Sequence, residues 1–160
     1  MPGKKIVLSL VAVAALLGAV PSVAAEATRE SYVEAAEPIC KANNEANDKI
    51  FQGVRAKVKA GKLDAASRQF FAAARALKRT RAQLLQVPKP SADAVLLTKW
   101  LGYVKKEIDL FEAVGRKLAK GEAGAANRMV VRLVSNARQT NNLVHAFGFR
   151  YCEFPISKYV

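Results

Sequence analysis

The chain carries 26 Lys and Arg against 13 Asp and Glu over 160 residues, a formal net charge of +13. Such an excess draws a protein to anionic surfaces and says nothing about its fold. With one His and two Cys in the whole chain, a metal centre built on several His or on Cys pairs has no ligands to draw on.

Residues 1–25 have the layout of a secretory signal. Lys4 and Lys5 begin it, Ile6 to Val20 is uncharged and mostly apolar, and Val23 and Ala25 are the small residues a signal peptidase requires. Pro21 ends the apolar run short of the ~20 residues a membrane anchor needs, and no cysteine stands directly after it for lipid attachment. Cleavage is expected before Glu26. Residues 26–160 are then one helical domain, long enough to bury about two-thirds of its unfolded surface.

The first helix is expected from Arg29 to Ala60, capped by Thr28 or Ser31, with Val33, Ala36, Cys40, Ile50, Val54 and Val58 on one stripe. Pro38 interrupts that pattern, so either a kink or a helix start is expected there. Gly61 stops the helix. The second helix, Leu63 to Gln86, has the seam Leu63, Ala66, Phe70, Ala73, Leu77, Thr80, Leu84 and Val87, and Pro88 and Pro90 end it. A third begins near Ser91, with Asp93 well placed against the helix dipole. Its seam is Leu97, Leu101, Val104, Ile108, Phe111, Gly115 and Leu118, closed by Gly121. The fourth spans Ala123 to Phe147, with Ala126, Val130, Leu133, Ala137, Thr140, Val144 and Phe147 inward. No stretch alternates as a strand would.

The stretch from Phe51 to Thr80 recurs sixty positions later. Phe51 falls on Phe111, Val54 on Val114, Lys57 on Lys117, Gly61 on Gly121, Arg68 on Arg128 and Thr80 on Thr140. This is the pattern of one helical hairpin used twice, by duplication or by convergent patterning. Helices joined by tight Gly or Pro turns are antiparallel neighbours, so an all-α, up-down-up-down four-helix bundle is predicted. That topology brings Cys40 and Cys152 to the same pole. In an exported chain an even cysteine count favours a disulfide over two separate thiols, and closing so long a loop contributes up to about 4.7 kcal/mol.

The tail from Phe149 to Pro155 reads as an aromatic plug under the core, held by that bridge. Tyr32-Val33 with Ala36, Ile39 and Cys40, and the closing run Tyr151-Cys152-Glu153-Phe154-Pro155-Ile156-Ser157, resemble the end motifs of a group of small, uncharacterised secreted bacterial helical proteins. The resemblance spans residues 26–160. It implies no activity, cofactor or catalytic residue.

Bundles of this shape often hold haem or a di-metal centre, but this chain has no C-x-x-C-H and no Glu-x-x-His pair. His145 and Met129 lie sixteen residues apart on one helix and face different ways. Glu107, Asp109 and Glu112 stand beside Lys105 and Lys106 as solvated ion pairs, without an apolar pocket to raise a carboxyl pKa. With no P-loop, nucleophile elbow or Ser/His/Asp set, no enzyme, metal or other cofactor is expected.

Two features stand out. Asn43, Asn47, Arg75, Trp100, Asn141, Asn142 and His145 are expected at similar heights between the helices, as a polar layer that sets register or as a site for a small polar ligand. Lys57, Lys59, Lys62, Arg116, Lys117 and Lys120 surround the two glycine hinges, at the pole opposite the cysteines. Arg68, Arg75, Lys78, Arg79 and Arg81 continue the charge along the second helix. The expectation is a monomeric binding or structural protein of the cell envelope or secreted space. Its basic pole would meet anionic polymers or lipid head groups, with no sequence-specific nucleic-acid binding. A small-molecule sensor or carrier using the polar layer is the alternative.

Overall fold

Thr28 and Ser31, each a candidate cap, act together. The Ser31 N–H donates to Thr28 Oγ1 at 3.2 Å and the Thr28 N–H to Ser31 Oγ at 3.0 Å, a reciprocal capping box. From it grows α1 (Arg29–Ile50) in the computed structural model, which describes residues 26–160; the signal expected in residues 1–25 lies outside them. Pro38 sits within α1 and does not begin it.

The expected single helix to Ala60 is broken. Phe51 and Gln52 turn, Gly53 takes φ 69°, and a short α2 (Val54–Lys59) follows. The break seats the Phe51 ring between Phe70 at 5.2 Å, Phe111 at 5.7 Å and Tyr159 at 5.2 Å.

The remaining helices are α3 (Leu63–Leu84), α4 (Ala94–Ala119) and α5 (Ala123–Val144), with a 3-10 turn at Ser91–Asp93 leading into α4. Every regular element among the described residues is helical, and the chain forms a four-helix bundle in which α1 continued by α2 makes one arm. The seams are largely as expected, with Leu63, Val87 and Val130 half-buried and Phe147 buried from a 3-10 turn beyond the last helix. Ala66, Phe70, Ala73, Leu77, Thr80 and Leu84 of α3 are buried, as are Leu97, Leu101, Val104, Ile108, Phe111 and Leu118 of α4. The α3–α4 contact is close at Gly115: a Cβ there would stand 3.1 Å from the Phe71 ring, and the Ser67 hydroxyl donates to the Gly115 carbonyl at 2.8 Å.

The two hinges are built alike. Gly61 at φ 69° and Gly121 at φ 72° take the left-handed conformation that glycine adopts at low cost. Behind them the Lys62 N–H reaches the Lys57 carbonyl at 2.8 Å and the Glu122 N–H the Lys117 carbonyl at 2.9 Å. With Gly61 bonded to Val58 and Gly121 to Leu118, both helix ends are Schellman motifs.

The tail does more than plug one end. The helix α5 stops at Val144, followed by a 3-10 turn at His145–Phe147, and the chain then runs back along the seam between α1 and α5, which meet each other little directly. Glu37 accepts from the Arg150 and Tyr151 N–H groups, Cys40 is disulfide-bonded to Cys152, and the Asn44 amide donates to the Tyr151 carbonyl at 2.9 Å. Further down, Asp48 accepts from Lys158 at 2.6 Å and Tyr159 at 2.8 Å, and Arg55 donates to the Ser157 and Val160 carbonyls. On the other side Asn141 and Phe154 exchange two hydrogen bonds. Phe149 stacks on Trp100 at 5.8 Å, and Phe154, Ile156 and Tyr159 are buried.

Replacing both Cys40 and Cys152 by Ala is expected to cost about 2 to 4 kcal/mol in urea unfolding and to raise amide exchange across 149–160 before the helices. Exchange in the tail no faster than in the native protein would show that the bridge does not hold it.

Candidate functional site

Two places hold polar groups that packing alone does not require. The first is interior. Asn43 and Asn47 on α1, Thr80 on α3, Glu107 on α4, and Asn136 and Thr140 on α5 are all buried. On α3, α4 and α5 they stand fourteen to nineteen residues from a hinge glycine, roughly 21 to 29 Å from the hinge pole at 1.5 Å per residue, and Asn43 is brought level with Thr80 by contact. The Thr80 hydroxyl lies 3.2 Å from Asn43 Oδ1 and 3.2 Å from the Ala76 carbonyl. Across the bundle Thr140 donates to the Asn136 carbonyl at 2.8 Å, and the Asn136 amide donates to the Tyr103 carbonyl at 3.1 Å.

Glu107 corrects the expectation that the acids of α4 are all solvated. Lys105 and Asp109 pair at 2.8 Å on the exposed face, and so do Arg116 and Glu112 at 3.2 Å. Glu107 is instead 0 % exposed, with neither carboxylate oxygen in hydrogen-bond geometry with a protein group. Burial pushes its carboxyl up to about 8, and Asn136 draws it back a little. At neutral pH it is therefore protonated and can donate, in a layer where Asn47 Oδ1 and Asn136 Oδ1 both lack a donor. The signal that could have found Glu107 is its place one residue before the seam position Ile108, and the sixty-residue register carried four positions upstream of the repeat, which sets it on Asn47.

Of the residues expected in this layer, Asn43 and Asn47 are in it. Trp100 is buried nearer the tail, stacked on Phe149 with its Nε1 unpartnered. Asn141 is half-buried and spent on Phe154. Arg75, Asn142 and His145 lie outside. Arg75 and Asn142 are exposed, and the His145 side chain is 84 % exposed beside Glu153, because α5 has ended and the 3-10 turn rotates it outward. The layer is closed to solvent, with Glu107, Asn136 and Thr140 at most 1 % exposed.

The second place is the hinge pole. A polar cleft of about 520 Å³ lies between the two turns, lined from one hinge by Gly61, Lys62, Asp64 and Arg68 and from the other by Leu118 and Gly121. Of the six cations expected there, Arg116 is paired with Glu112 and Lys117 with Glu122 at 2.6 Å, and the Lys57 ammonium donates to the Gln52 carbonyl at 3.2 Å. Lys59, Lys62 and Lys120 are exposed and bound to no acid among the described residues. Arg68, Arg75 and Arg79 carry the exposed charge up one face of α3. Comparison of the chain with family models, with curated proteins and with solved structures returned no match.

The Glu107 carboxyl is held above its ordinary value of 4.5. Its contribution to stability is thus complete below about pH 4.5 and lost as pH rises through about 8. Glu107→Gln lacks that slope. Between pH 5 and 9 the native protein should lose on the order of 3 to 5 kcal/mol relative to Glu107→Gln in denaturant titrations. Parallel pH profiles would show that Glu107 is not buried as described.

Proposed function

We propose that this chain is an exported binding protein that docks on anionic polymers or lipid head groups of the cell envelope through its hinge pole. The observation that carries the reading is the convergence of unpaired Lys59, Lys62 and Lys120 around two adjacent, glycine-hinged turns. Cations so exposed keep their hydration until an anion arrives, and their attraction is long-ranged but screened beyond about 8 to 10 Å in physiological salt. Arg68, Arg75 and Arg79 extend the field along α3, which suits a polymer or a surface better than a single small anion.

The Cys40–Cys152 bridge supports the export half of the reading, because disulfides persist in oxidising compartments. Among the described residues no helix is long and apolar enough to cross a membrane, and docking needs none. The alternative of a carrier using the interior layer is less favoured: the layer is closed, and His145 stands away from it.

Lys59, Lys62 and Lys120 replaced together by Glu should elute from heparin at clearly lower NaCl than the native protein, with unchanged thermal stability. The same change at Arg116 and Lys117, already neutralised by neighbouring acids, should matter less. Elution of the triple variant at the native salt concentration would remove the hinge pole as the docking surface.

A further inference from the structure

The seam that the tail closes is not closed to its end. Below Tyr159 and Val160 it continues as a cleft of about 250 Å³ between α2 and α5, floored by α3 and α4. It exists because the turn at Phe51–Gly53 ends α1 before the hinge and because α5 faces it with Ala123 and Ala126. Its walls are apolar, chiefly Val58, Leu118 and Val130. No acidic side chain lines it, and its mouth carries Lys59 and Asn127. Arg55 also lies at the rim, but its guanidinium is committed to the main-chain oxygens of Ser157 and Val160, so Lys59 is the cation left for a ligand.

We propose that this cleft binds the chain of a free, medium-length aliphatic monocarboxylate, with Lys59 receiving the carboxylate and Asn127 donating to it. The size selects the class. At about 30 Å³ per water-sized group, the cleft takes roughly eight heavy atoms, which suits one short chain and not the two of a membrane lipid. The charge selects the head group: one unpaired ammonium at the mouth of an apolar slot matches a single anionic end. The proposal rests on the docking reading for the sign of the charge alone. Polymer docking uses the outer face of the pole, and the carboxylate uses the slot behind Lys59.

The test is calorimetric titration of the purified protein with hexanoate, octanoate, decanoate and dodecanoate. Affinity should rise roughly fourfold per added methylene and level off once the slot is full, at about eight to ten carbons. Lys59→Gln should weaken octanoate several-fold and leave octanol unchanged. Ala123→Trp, at an exposed lining position, should abolish octanoate binding without altering heparin retention or the far-UV spectrum; Asn127→Trp serves equally if Ala123→Trp disturbs the fold. No heat with octanoate or decanoate, an affinity indifferent to chain length, or octanoate binding undiminished in a folded Trp variant would each overturn the proposal. Heparin retention persisting through such a failure would leave the docking reading intact. Loss of heparin retention in the Lys59, Lys62 and Lys120 variant has no bearing on the chain-length series of the native protein.

Discussion

The structure depends on how the seam between α1 and α5 is closed. Helix packing alone carries α1 onto α3, α3 onto α4 and α4 onto α5, and stops there. The fourth side is made by residues 149–160, laid along α1 and fastened at Glu37, Cys40, Asn44, Asp48 and Arg55. The four on α1 step by three, four and four, so one stripe of α1 faces the tail while another, through Ala36, Asn43 and Asn47, faces the core, and Arg55 on α2 adds a fastener beyond the break. The disulfide is one fastener among five. It ties the start of the tail to α1 and also restricts the unfolded chain, where it joins positions 112 residues apart. The hydrogen bonds on either side of it set the line the tail follows.

Inside the bundle the interior layer opposes simple greasy packing. Amides and hydroxyls of Asn43, Thr80, Asn136 and Thr140 are buried together, and an apolar residue at any one of them would strand its partner. A helix sliding by one turn would separate Thr80 from Asn43 and Asn136 from the Tyr103 carbonyl, so the layer penalises wrong registers in a core otherwise rich in interchangeable Ala, Val and Leu. Glu107 belongs to this arrangement as a neutral acid. Ionised, it would bring an uncompensated charge into the centre of the molecule, which explains its preference for the protonated form.

Much of the architecture was legible in the sequence, for identifiable reasons. The seams of α3, α4 and α5 show because three-and-four spacing is what a helix needs to bury one face, and Gly61 and Gly121 show because only glycine sits easily in a Schellman turn. The second stripe of α1 was not legible. Glu37, Asn44 and Asp48 look like a solvated face, and only the returning tail gives them partners. Glu107 was hidden by its neighbours: between Lys105, Lys106 and Asp109 it reads as surface charge, although it falls between the seam positions Val104 and Ile108. His145 was misplaced because the helical period was carried past Val144, where the chain tightens into a 3-10 turn. The break at Phe51–Gly53 went unseen because Val54 and Val58 keep the stripe in phase across it.

That break links the fold to the surface chemistry. With the chain turned at Gly53, the short α2 stands off from α5 and the apolar slot opens beside the most basic part of the molecule. Long-range attraction and short-range fit then come from different atoms: ammonium groups on the pole draw anions from solution, and only a ligand with an apolar end gains from the slot. Glu107 lies some 21 Å from that pole by helix rise, beyond a Debye length at physiological salt. Its titration therefore changes how firmly the bundle holds together, while the field at the pole is set by the exposed charges around the hinges.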